Sequence, residues 1–310
     1  MKLAFLFPGQ GSQTVGMLDA WSDNEQVKEV MQLADQALSQ DLSGLIKNGP
    51  AEDLNLTTNT QPAMLAASVA MYRAYLAKGG RQPDCMAGHS LGEYSALTAA
   101  GTFKLEDAVR LVRVRADAMQ AQVPVGVGAM AAIIGLDDET VIDVCSKAAE
   151  GDVVQAVNFN APSQVVIAGH KTAVERACEL AKAAGAKRAL LLPVSAPFHS
   201  RLLEPVGKIL ENFMSTIQVN MPTVPIINNV DVGVSTSPSE IVDALSRQAW
   251  HPVRWVETIK HLHAQGVTHV VECGPGKVLV GLMKRIEPSM TALSITDPES
   301  LQATLEALSV

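Results

Sequence analysis

Residues 88–94 read GHSLGEY. A serine flanked at two positions on either side by glycine could be a nucleophile presented on a sharp turn, poised to attack a carbonyl. Ser90 could equally be a helix N-cap, since a serine oxygen accepts from the first free N–H groups of a helix. The pattern alone arises by chance in roughly one chain in ten of this length, so its surroundings must decide. A serine nucleophile needs a base, and seven histidines are available. His89 is adjacent to Ser90, so its side chain diverges and it reads as structural. His261 and His263 flank Leu262 on a helical pattern whose apolar face is Val256, Ile259 and Leu262. They fall on its solvated flanks, and their i, i+2 spacing does not suit joint metal ligation. His170, His251 and His269 have weaker context. His199, in LPVSAPFHS, lies just beyond a predicted strand and before a predicted helix. Catalytic groups collect on that rim in parallel α/β sheets, which makes His199 the best base. The plain alternative is a histidine beside a helix start.

Three arginines, Arg110, Arg113 and Arg115, punctuate a helical pattern over 104–122. Leu105, Ala108, Val109, Val112, Ala116 and Met119 form its apolar stripe. Arg110 and Arg113 fall well off that stripe. Arg115 falls at its edge, about 60° from the centre at the 100° helical step, where a charge is desolvated unless it finds a partner. That partner is either an internal carboxylate or one brought by a substrate.

These residues need elements to hold them. KLAFLF (2–7) is a short apolar run stopped by PGQGSQ, a buried first strand and its loop. A polar, mostly helical stretch runs to about residue 50. At 60–77 a helix is expected with Pro62 at its first position. DCMAG (84–88) reads as a strand and LGEYSALTAAG (91–101) as a helix with Gly101 near its end. Ser90 therefore lies where a strand turns into a helix, which a nucleophile elbow requires. The Leu91 N–H would then face outward at a helix N-terminus, able to hold an oxyanion.

Beyond residue 125 the pattern changes. Strands at 128–136, 153–159, 164–169 and 188–194 alternate with helices at 137–150 and 171–185, the order βαββαβ of a ferredoxin-like unit. After it come a helix at 201–214 interrupted near its start by Pro205, a strand at 224–230, a helix at 255–266, and strand, turn and helix in THVVECGPGKVLVGLMKRI. The expected fold is α/β: a large parallel three-layer domain, residues 1–124 and 194–310, carrying an inserted ferredoxin-like domain of residues 125–193.

Composition narrows the function classes. The chain has 310 residues, 47% apolar and 18% charged, ample for a buried core, and a net charge of −8. That charge argues against nucleic-acid binding and against an anionic membrane surface. Cys85, Cys145, Cys178 and Cys273 are widely spaced with no CxxC pair, fitting reduced thiols in the cytoplasm. The N-terminal apolar run is too short for a signal peptide, and no stretch approaches the ~20 apolar residues of a membrane span. GPGK at 274–277 is followed by valine and lacks phosphate-loop spacing, and no metal site is supported.

PGQGSQ, TQPA at 60–63, GHSLGEYSAL, Arg115, PVSAPFHS, Asn228–Asn229 and ECGPGKVL together resemble the malonyl-CoA:acyl carrier protein transacylase family, in its order, from residue 5 to about 285. The resemblance implies transfer of a malonyl group from malonyl-CoA to the phosphopantetheine thiol of acyl carrier protein, with no cofactor, by a cytoplasmic monomer. It implies Ser90 as the acylated nucleophile, His199 as base, and Gln10 with the Leu91 N–H as oxyanion hole. Arg115 would hold the malonyl carboxylate, and Gln248, in SRQAWHP, would orient His199 through its carbonyl. Phe198 resembles the residue found in malonyl-selective polyketide acyltransferase domains, a place serine takes in some stand-alone bacterial transacylases. Acyl carrier proteins are acidic, so docking on this acidic chain would need a local basic patch. Lys187–Arg188 and Lys284–Arg285 are the candidate pairs, against a plain reading as solvated charges. A serine hydrolase would want a triad acid and a late histidine; a non-catalytic docking subunit would be expected to have lost Ser90, His199 or Arg115.

Overall fold

The computed structural model describes residues 1–194 and 196–309; Ser195, within the PVSAPFHS motif, and Val310 lie outside the described residues. Its strands are β1 (Leu3–Phe7), β2 (Cys85–Gly88), β3 (Gly128–Ile134), β4 (Val154–Ala161), β5 (Gln164–His170), β6 (Arg188–Leu191), β7 (Ile226–Ile227), β8 (His269–Cys273) and β9 (Thr291–Ile295). In β1, Leu3, Phe5 and Phe7 point into one hydrophobic core while Ala4 and Leu6 point into another. A strand apolar at every position, with side chains alternating between faces, has to be covered on both sides. Helices Thr57–Ala77, Leu105–Gln122 and Glu204–Met214 contribute to the first core, and Trp255–Ala264 and Val278–Ile286 to the second.

Five strands form a parallel sheet in the order β7-β2-β1-β8-β9. From β1 the chain goes to β2 on one side, while β8 and β9 extend the sheet on the other. The carboxyl end of β1 is therefore a topological switch point, where α/β sheets open a crevice. Loops following β1, β2 and β7 carry Gln10, Ser90 and Asn229 to that rim.

The second sheet, β4-β5-β3-β6, is antiparallel. With helices Asp138–Ala149 and Lys171–Ala183 it follows the expected βαββαβ order. Both helices cover one face. The other face presents Met130, Val157, Val166 and Ala168 to Leu192, Val194 and Phe198, the segment that leads into His199. Main chain joins β4 to the segment just before helix Trp255–Ala264, with Phe159 N donating to Val253 O at 3.0 Å and Val253 N to Val157 O at 2.8 Å.

Three local expectations are corrected. The helix expected to open at Pro62 begins at Thr57, with Pro62 inside it. The polar TTNTQ run is helical because its side chains find buried partners: Thr60 Oγ1 donates to Leu54 O at 2.6 Å, and Gln61 accepts from Arg115. The strand expected at 224–230 is only Ile226–Ile227, because Asn228 Oδ1 accepts from Asp231 N and closes a turn. Pro205 does not interrupt a helix but lies in its first turn, after a 3-10 turn at Arg201–Leu203, where proline's missing N–H costs nothing. The helix Pro238–Gln248, which carries Gln248, had no counterpart in the sequence reading.

Candidate active site

Gly88 and Gly92 are dictated by contact distance. A Cβ on Gly88 would lie 1.9 Å from Gly92 C, and one on Gly92 would lie 2.0 Å from Phe7 O. Helix Leu91–Ala99 can start this close to β1 and β2 only because both positions lack a side chain. Ser90 sits between them at φ 53°, ψ −112°, a conformation that costs a non-glycine residue about 1–3 kcal/mol. Side chains hold both of its main-chain groups. Ser90 N donates to Asn229 Oδ1 at 2.8 Å, and Ser90 O accepts from Gln248 Nε2 at 2.9 Å.

The Ser90 Oγ lies 2.7 Å from His199 Nε2. His199 Nδ1 lies 2.8 Å from the Gln248 carbonyl, which can only accept. The Nδ1 proton is thereby assigned, Nε2 is left bare, and Ser90 Oγ–H donates to it. Burial, then the Arg115 charge, pushes the His199 pKa down to about 3, so the ring is a neutral base across the physiological range. The Leu91 N–H begins the helix and has no acceptor within it.

Arg115 is 2% exposed and, among the described residues, has no carboxylate within ion-pair distance. Its acceptors are neutral: Gln61 Oε1 at 2.7 Å, Gln248 Oε1 at 3.0 Å and Ser90 Oγ at 3.1 Å. Its guanidinium carbon lies 5.2 Å from the centre of the Tyr94 ring. Of the two partners left open for Arg115, the internal carboxylate is not in direct contact. A buried guanidinium held only by neutral acceptors beside a serine hydroxyl is a matching donor for a carboxylate.

Two hydrogen-bonded paths spread from Arg115 and take in Gln61, Thr57, Glu93 and Asn229, to which the sequence assigned no role. One runs from Gln61 Nε2 to Thr57 Oγ1 at 3.0 Å, and on to Gln10 Oε1 at 2.8 Å. The other runs from Gln248 Nε2 to Glu93 Oε2 at 3.0 Å, where Asn229 N also donates at 3.0 Å. Gln61, Glu93 and Asn229 are buried polar residues. Their one visible mark in the sequence is a polar residue inside an apolar helical run, or an asparagine pair just past a strand. Gln10, Leu56, Thr57, Pro193, Val194 and Phe198 line a cleft of about 330 Å³.

Four of the other histidines hydrogen-bond away from Ser90. His89 Nε2 lies 2.7 Å from Asn160 Oδ1, across the contact between the two sheets, and its ring packs edge-on to Trp255. His170, His251 and His269 bond to Val153 N, Arg247 O and Thr268 Oγ1. Arg285 contacts Gln164 and donates to Pro162 O, fastening the β4–β5 turn, whereas Lys187, Arg188 and Lys284 are exposed. The GPGK loop is filled by protein: a Cβ on Gly274 would meet Ser68 Oγ at 2.5 Å and Pro8 Cγ at 2.7 Å. No group of three or more metal-ligating side chains occurs among the described residues.

Residues 4–294 match the acyl transferase domain family. The chain belongs to it. The malonyl CoA-acyl carrier protein transacylase of Escherichia coli strain K12 is 55% identical over 98% of this chain and 99% of that protein. The protein of the same name from Bacillus subtilis strain 168 is 45% identical over 99% of this chain and 97% of its own length. Among solved structures, an acyl-carrier-protein S-malonyltransferase from Burkholderia pseudomallei 1710b superposes with a TM-score of 0.97 at 58% identity, covering 99% of this chain and all of that one. A malonyl-transacylase in complex with a type II polyketide synthase acyl-carrier protein gives 0.97 at 48% identity, over 99% of this chain and 100% of that one. The parallel sheet with its inserted antiparallel sheet is thus the acyl transferase arrangement throughout.

Proposed function

We propose that this acyl transferase moves a malonyl group from malonyl-CoA to the phosphopantetheine thiol of acyl carrier protein by way of malonyl-Ser90. The buried guanidinium of Arg115, paired only with neutral acceptors beside Ser90 Oγ, carries this reading. Full-length likeness to malonyl transacylases supports it.

His199 Nε2 accepts the Ser90 proton as Oγ attacks the thioester carbon. The carbonyl oxygen becomes an oxyanion facing the Leu91 N–H and the Gln10 main chain. Protonated His199 then gives its proton to the departing sulfur, coenzyme A leaves, and malonyl-Ser90 remains. The pantetheine thiol repeats the steps in reverse order, so the kinetics are ping-pong. The Gln248 carbonyl keeps the ring oriented and stabilises its protonated form, the task a triad carboxylate performs elsewhere. Phe198 closes the cleft side of the acyl pocket. Every group needed comes from the chain, so no cofactor enters. Four free, buried cysteines among the described residues favour a cytoplasmic setting. Among those residues no helix is long and apolar enough to cross a membrane. We take residues 125–193 as the inserted domain.

A charge-assisted bond of about 1.5–3 kcal/mol between Arg115 and the free carboxylate would favour malonyl over acetyl by roughly 10–150-fold. Acylation by malonyl-CoA and acetyl-CoA, measured on wild type and Arg115→Ala, tests this. The variant should lose most of the preference; an unchanged ratio would remove the clamp.

A further inference from the structure

Glu93 is 2% exposed, and no step above uses it. Its Oε2 accepts from Gln248 Nε2 and from Asn229 N, each at 3.0 Å. Those two partners hold the reacting groups. Asn229 Oδ1 takes the Ser90 N–H, the Gln248 carbonyl takes the His199 Nδ1–H, and Gln248 Oε1 takes an Arg115 N–H. Glu93 also fixes which way the Gln248 amide faces. Both Nε2 hydrogens are used, on Glu93 and on Ser90 O, so Oε1 must point at Arg115.

The empty site thus holds one buried cation and one buried carboxylate, joined through a single amide rather than by a direct ion pair. A malonyl carboxylate on Arg115 would place a second anion on the same cation. Two carboxylates sharing one positive charge do not both remain ionised without cost; one of them gains proton affinity. The substrate carboxylate would sit directly on the guanidinium, so Glu93 is the one to protonate. A cavity of about 10 Å³ adjoins Glu93 on the side of Asn228, Ser235 and Val234. That is close to the room one water needs, and Val234 is 45% exposed. Glu93 thus borders a space separate from the cleft lined by Gln10, Thr57 and Phe198.

We propose that Glu93 is a positioning residue that sets malonyl selectivity: ionised, it balances Arg115 in the empty site, and it takes up one proton from solvent when a malonyl carboxylate occupies Arg115. The proposal rests on Arg115 as the malonyl clamp.

Burial pushes the Glu93 carboxyl up to about 7 in the empty site, against the Gln248 and Asn229 hydrogen bonds and the Arg115 charge, which pull it down. The charged and titratable groups around it are Arg115 on helix Leu105–Gln122 and Tyr94 on its own helix. Asp231, after β7, is tied to Arg247 of helix Pro238–Gln248, and His199 is reached through Gln248. Above about pH 7, Glu93 must gain a proton before malonyl binds well, so malonyl-CoA loses ground as pH rises. Acetyl-CoA has no carboxylate and does not. His199 serves both donors, and its titration cancels in their ratio.

The experiment measures the second-order rate of Ser90 acylation, read as coenzyme A release, for malonyl-CoA and acetyl-CoA between pH 6 and 9. The full chain is used as wild type, Glu93→Gln and Arg115→Ala. The wild-type malonyl/acetyl ratio should fall by roughly a hundredfold across that range, nearly all of it above pH 7, where each pH unit removes about tenfold of the protonated Glu93, and the Glu93→Gln ratio should stay level. A level wild-type ratio overturns the proposal, as does a fall that persists in Glu93→Gln. An Arg115→Ala ratio equal to wild type would instead overturn the clamp on which it rests. If Glu93→Gln does not fold, wild type decides alone in weakly buffered indicator solution at pH 8. Malonyl-Ser90 formation should then take up about one more proton than acetyl-Ser90 formation, and equal uptake refutes the proposal.

Discussion

Ser90 and His199 both have positive φ, 53° and 65°, and both are held there by hydrogen bonds from residues distant in sequence. The strain is placed where a side chain has to be aimed, and Asn229 and Gln248 hold it. His199 is the clearest case for a test by pH. Its folded pKa is depressed by burial and by Arg115, so below pH 6.5 the folded protein binds fewer protons than the unfolded chain. This group therefore lowers stability as pH falls from 6.5 toward its folded pKa of about 3. The base should remain neutral over the same window. With acetyl-CoA, which leaves Arg115 unpaired, acylation should hold its rate from pH 8 down to about 5. Half-loss near pH 6.5 would mean that the base is not the buried His199. Ser90, His199 and Arg115 were legible in the sequence because each sits in a local pattern: a glycine-flanked turn, a strand end, an apolar stripe. Gln61, Glu93 and Asn229 were not, since their roles depend on partners at separations such as the 139 positions between Ser90 and Asn229.

The strand–turn–helix at 85–99 is the element that presents Ser90, and its glycines set its tolerance. Ala at Gly92 would press on Phe7 O at 2.0 Å and Pro8 O at 3.0 Å, both main-chain atoms that cannot swing aside. Gly92→Ala should destabilise by about 1–3 kcal/mol in urea unfolding and lower the acylation rate as Ser90 is displaced. Gly281, exposed in helix Val278–Ile286 with open space around it, is the control. Gly281→Ala should be neutral or stabilise by up to about 1 kcal/mol. Similar losses at both positions would show that the elbow is not specially constrained. Elements with clear periodicity were readable to within a few residues, β1, β2 and helix Leu105–Gln122 among them. Helix Thr57–Ala77 was misplaced at its start because its first turn is polar outside and satisfied only inside the fold.

At the scale of the whole molecule, the inserted sheet backs one wall of the site, the wall formed by Val194 and Phe198. Its helix-free face packs on Val194 and Phe198, and Phe198 directly precedes His199, whose ring meets Ser90 just past β2. The βαββαβ order was legible from the sequence, whereas its contact with the loops beside the large sheet, through Val253 and the His89–Asn160 bond, was not. Asn160→Ala would leave His89 Nε2 without its partner, at about 1 kcal/mol in stability. A single cooperative urea transition with a lowered midpoint is expected, and two separate transitions would mean that the sheets are not coupled there. The most direct test of malonyl transfer through Ser90 is intact-protein mass spectrometry after brief exposure to malonyl-CoA, followed by holo acyl carrier protein. Wild type should gain one malonyl group and lose it to the carrier protein, while Ser90→Ala gains none. An adduct that persists on Ser90→Ala, or free malonate released without any adduct or transfer, would contradict it.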